Sequence, residues 1–109
     1  MSGPDPGRLS SRVSLERQVR TPDASGGATT EWEEVAMLWA AIEPVAAQEG
    51  ISADRLSTRV THRITIRFRT DLEGGMRMVH RTRRLRIAHW RDIDETRRFL
   101  VLEAVEERP

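Results

Sequence analysis

The chain is 109 residues long, a length that fits one domain with one modest core. It has no cysteine, which excludes disulfides, thiolate metal sites and thiol nucleophiles, and it has no apolar run long enough to span a membrane. Charged residues make up 32% of the chain yet nearly cancel, since eighteen basic residues, all arginine, face seventeen acidic ones; such a balance favours protein–protein pairing over wholesale binding of a polyanion.

Residues 1–11, "MSGPDPGRLSS", are rich in Pro, Gly and Ser and read as a flexible arm without an apolar signal region, so synthesis in the cytoplasm is expected. Residues 12–109 read as the folded domain. "RVSLERQVR" alternates Val13, Leu15 and Val19 and predicts a strand. "TPDASGG" is a turn, because proline presets one dihedral and glycine permits positive φ. "ATTEWEEVAMLWAAIEP" predicts two strands with a break or bulge near Glu34 and Val35, and puts Trp39 and Ala41 on a shared face. Residues 45–57 change texture, with helix-tolerant alanines around Gly50, and predict an inserted helical loop with its helix at Ser52–Ser57.

The stretch "STRVTHRITIRFRT" is the clearest signal. Val60, His62, Ile64, Ile66 and Phe68 share one face of a strand, while Arg59, Thr61, Arg63, Thr65, Arg67 and Arg69 share the other. "DLEGG" predicts a turn, "MRMVH" a strand, "RTRR" a tight basic turn, and "LRIAHW" a strand with Leu85, Ile87 and His89 on one face. "RDIDETRR" is an acidic-tipped turn before a last strand, "FLVLEAVEE". Short strands at regular spacing with turns between them predict an all-β fold: a small barrel or sandwich of about six strands with one short inserted helix.

The residues carry no catalytic pattern. His62, His80 and His89 have no metal-ligand spacing, and no nucleophile motif, phosphate-cradling glycine pattern or matched pair of carboxylates is present. Neither an enzyme nor a cofactor is therefore expected. Trp32, Trp39 and Trp90 read as core or interface anchors, and a base-stacking platform would want more aromatics on one sheet face.

In order, "LSSRVSLER", "TPDASGGATTEW", "LWAAIEP", "THRITIRFRTDLEGGMRM" and "LRIAHWRDIDETRRFLVLEAVEE" resemble the phage head–tail joining family, also called head closure or stopper proteins. The likeness rests on the Trp-Ala step, the arginine-rich strand and the Ile-to-Asp turn before a hydrophobic strand. It runs from Leu9 to Glu107. One departure is "HRTRRLR", where members carry a Gly-Lys or Gly-Arg turn.

The resemblance implies a structural protein of a tailed phage, a prophage or a gene transfer agent. It would form a homo-oligomeric ring in the neck of the virion, between a portal or adaptor protein and the tail terminator or tail tube. The ring would close or gate the channel through which double-stranded DNA passes without sequence-specific binding, and no membrane would be involved. On that reading Arg59, Arg63, Arg67 and Arg69, with Trp39 and Phe99, are the expected subunit contacts. Ala46, Gln48, Glu49 and Asp54 would belong to a docking or channel-facing loop. Another neck protein such as a tail terminator, a nucleic-acid-binding barrel of the OB type and a small metal-dependent enzyme are the competing readings.

Overall fold

The computed structural model describes residues 8–45 and 60–107. Six strands follow one another: β1 (Ser11–Pro22), β2 (Ala28–Pro44), β3 (His62–Arg67), β4 (Arg77–His80), β5 (Arg83–Asp92) and β6 (Phe99–Glu107), with a 3-10 turn at Ile93–Glu95. Every pairing is antiparallel. The order β1-β2-β3-β6-β5-β4 closes into a barrel when β4 meets β1 through Ser14–Glu16. Within the barrel itself, closure removes the exposed edges that an open sheet would present.

Alternation drives the packing. Val13 and Leu15, Ala40, Ile64 and Ile66, Met78, Leu85 and Ile87, and Leu100, Leu102 and Ala104 point inward and form the core, with Met76 beside them. Ile64 and Ile66 are fully enclosed as the periodicity requires, whereas Val60 and Phe68 are only half-buried beyond the ends of β3. Thr65 shares its outward row with Val101, yet both are buried. The run Phe99–Leu102 is thus covered on both faces, which is why "FLVL" reads as continuous rather than alternating.

Two bulges alter the expected phases. Residues Ala28 to Pro44 form one strand rather than two, and the expected break is a bulge: Leu15 pairs with Ala36 and Glu16 with Glu34, so Val35 is the extra residue. A second bulge at Ala88 lies between the Ile87 and His89 pairings. It turns His89 out to solvent and brings Trp90 against the core, so the expected shared face of Leu85, Ile87 and His89 stops at Ile87. The basic turn is also shorter than expected, because Arg83 and Arg84 already belong to β5. Arg81 adopts φ 60 there, taking the left-handed conformation that glycine would adopt more cheaply.

The barrel takes in residues before position 12: Leu9 is buried and Ser11 pairs with Ala40. The insertion expected over 45–57, including the helix at Ser52–Ser57, lies outside the described residues apart from Val45. Val45 N–H donates to the Thr61 carbonyl at 2.9 Å.

Beyond the Val35 bulge, β1 and β2 leave the barrel as a two-stranded arm. β4 pairs with β1 only as far as Glu16, and β3 pairs with β2 only from Ala40 onward. The arm ends in a turn in which the Asp23 carboxylate accepts the N–H groups of Ser25 and Gly27, and Gly26 supplies φ 85. Its seven residue steps from Glu16 to Asp23 give a reach of roughly 20 Å.

Candidate functional site

The outward rows of β1, β2 and β3 meet on one wall of the barrel. The register pairs Arg12 with Trp39 and Ser14 with Met37. Trp39 is 52% exposed and Met37 45%, and they are the exposed large apolar side chains of the described residues. The Arg12 guanidinium lies over the Trp39 ring, 5.0 Å from its centre. Beside them, β2 and β3 diverge past the Ala40–Ile66 pair and open a groove of about 260 Å³ lined by Met37, Leu38, Trp39, Ile66, Phe68 and two arginines, Arg67 and Arg69.

The expected arginine row separates into distinct environments. Arg67 is exposed and lies over Phe99, 5.9 Å from the ring centre. Phe99 itself is only 5% exposed, so its place is in the wall beneath Arg67 rather than on the surface. Arg63 is half-buried and sits in register between Glu43 and Glu103. Arg69 lies past the end of β3 and forks onto Asp71 at 2.9 and 2.6 Å. That hydrogen-bonded guanidinium holds the Asp71 carboxyl below its ordinary range and raises Arg69 in turn. Arg59, Ala46, Gln48, Glu49 and Asp54 lie outside the described residues.

The root of the arm carries a stack that sequence reasoning missed. Arg77 on β4 donates to Glu16 at 2.8 Å and lies 3.9 Å from the centre of the Trp32 ring. Its two ends are far apart in sequence, so only the β1–β4 closure brings them together. The ion pair is largely shielded, unlike Arg17 with Glu33 further out, which is half-exposed.

At the opposite end of the barrel, His62 joins a polar chain. Arg83 donates to His62 Nε2 at 2.9 Å and forks onto Glu106 at 2.9 and 3.1 Å. With Nε2 accepting, Nδ1 carries the proton and donates to Thr61 Oγ1 at 2.9 Å, which also accepts the Glu106 N–H at 2.7 Å. Burial, and after it the Arg83 charge, hold His62 below the usual imidazole range. His89 instead meets Glu103 at 2.8 Å on the exposed wall. Among the described residues no cluster of His, Asp or Glu is gathered as metal ligands.

Residues 4–107 match the family of phage head completion proteins. The chain belongs to that family. A solved solution structure, protein SF1141 from Shigella flexneri 2a, is 30% identical, with 94% of this chain and 96% of that one covered and a TM-score of 0.74. A chain in the virion of a native gene transfer agent particle shares the fold at 21% identity, with 88% and 91% covered and a TM-score of 0.60. No match was found among curated proteins. This head completion protein is accordingly a structural component of the virion with a head–tail role. Its partners are other virion proteins, and its family is known for structure rather than for catalysis.

Proposed function

We propose that this head completion protein is the stopper of a head–tail connector. Copies close into a ring between the portal or adaptor and the tail, and DNA passes through the lumen. The observation that carries this reading is the wall made by β1, β2 and β3. It combines an exposed tryptophan and methionine with Arg12 and Arg67, the residue types enriched at the centre of protein interfaces. A subunit contact would bury that apolar surface and desolvate the guanidinium groups, where directional forks to carboxylates fix register between neighbours.

The balance of charge supports protein rather than DNA as the partner of this wall. A lumen through which DNA slides is poorly served by many arginine–phosphate forks, since each adds salt-dependent affinity. Arg69 is already held by Asp71, and Arg63 lies between two glutamate-bearing strands. The test is imaging of assembled particles. A closed cyclic ring of roughly six to twelve copies on the portal axis is expected, and copies spread over the capsid surface would overturn the reading.

A further inference from the structure

We infer that the β1–β2 arm of one copy docks in the groove between β2 and β3 of the next copy, clasping neighbours around the ring. The inference rests on the ring reading and names what occupies the exposed wall.

The arm has no core of its own. Past Glu16 its residues are exposed almost throughout, on both faces of a two-stranded ribbon, and such a ribbon is marginal in water without a surface to lie on. The root is nevertheless fixed, since the Glu16–Arg77–Trp32 stack sets the direction in which the arm leaves the barrel. A device that holds an exposed ribbon out at a set angle fits a docking element.

The groove and the arm are complementary in three respects. In shape, the groove lies where β2 has no strand on its β3 side N-terminal to Ala40, among the described residues, so a main-chain edge borders an apolar floor of Leu38, Ile66 and Phe68. An extended segment fits there by strand addition. In charge, Arg67 and Arg69 line the groove and Arg12 flanks it, while the arm's β2 strand carries Glu31, Glu33 and Glu34. Of these, Glu31 is exposed with no ion-pair partner among the described residues, and Arg67 likewise meets only the Phe99 ring. In reach, Glu31 lies on its own chain more than about 20 Å up the strand from Trp39, so the arm cannot fill its own groove. The acidic strand would also be repelled by DNA, which disfavours a phosphate partner for it.

The absence of native cysteine makes the test clean. Copies with Glu31→Cys and copies with Arg67→Cys are expressed together with wild-type chain, and the assembled particles are mildly oxidised. Reduced and non-reduced gels then read disulfide pairing, which requires Cα atoms within about 7 Å. A dimer that contains one copy of each variant is expected. Bridging of residue 31 only to a different virion protein, or no bridge at all, overturns the clasp. Images of the same particles separate the two readings: a ring without the bridge removes only the clasp, and no ring removes both. Charge exchange is the second arm of the test. Glu31→Arg and Arg67→Glu should each lower the yield of tailed particles by at least about tenfold, and together recover most of it; failure of the pair to recover overturns the pairing.

Discussion

β1 and β2 are each one strand, but they serve two different environments. Inside the barrel their inward row reads Val13 and Leu15 on β1, and Leu38 and Ala40 on β2. Past the bulge the same row reads Arg17 and Val19 opposite Glu33 and Glu31. The antiparallel pairing of β1 with β2 resumes beyond the bulge, and the side chains report that the core has ended. Burial sustains the first half through apolar area. Cross-strand pairs and the stack at the root sustain the second half, and each contributes far less. The difference teaches that strand formation and core formation can part company within one hairpin, and that a bulge can mark where they do.

The comparison breaks most visibly in the barrel. Ile64→Ala removes a fully enclosed side chain and should cost about 2–5 kcal/mol. Urea unfolding reads the loss, and an unchanged midpoint would mean that the inward phase of β3 is wrong. Arg77→Ala comes next. It removes both the shielded ion pair with Glu16 and the contact with Trp32, for a loss of roughly 1–2 kcal/mol. Hydrogen exchange should rise through the arm while the β3 and β6 amides keep their protection. Equal loosening of both regions would mean that the stack braces the barrel and not the arm.

The smallest effect is a pH dependence at the far end of the barrel. Burial and then Arg83 lower the His62 pKa in the folded protein, while the unfolded chain titrates near 6.5. The unfolded state therefore binds the extra proton first, so stability falls as pH drops below that value toward the lowered folded one, and levels off beneath it. His62→Gln should flatten this part of the stability profile. An unchanged slope would assign it to other groups.

Much of the barrel was legible because period-two patterning is local. Ile64, Ile66 and the turn at Asp71–Gly75 follow directly from neighbours in sequence. The break near Val35 was legible as a change of texture, but not its nature, since a bulge and a gap between strands leave the same mark. His89 and Trp90 exchanged places because Ala88 adds one residue, and nothing in "LRIAHW" announces a bulge. The arm was not legible: "ERQVR" and "TTEWEE" read as strands, but which strands have neighbours is a property of closure. The wall of β1, β2 and β3 was partly legible. Arg67 and Trp39 could be named from alternation, whereas the burial of Phe99 on the same outward row as Arg67 could not.

The central claim is that the arginine- and tryptophan-bearing wall meets another protein subunit. Arg67→Glu tests it most directly, because Arg67 is exposed in the isolated chain and its reversal should leave the fold intact. The measurement is the ratio of tailed to tailless heads, alongside circular dichroism of the purified variant. The account predicts a native spectrum with tailless heads. Normal tail attachment with only DNA retention or ejection altered would contradict it and move Arg67 to the channel.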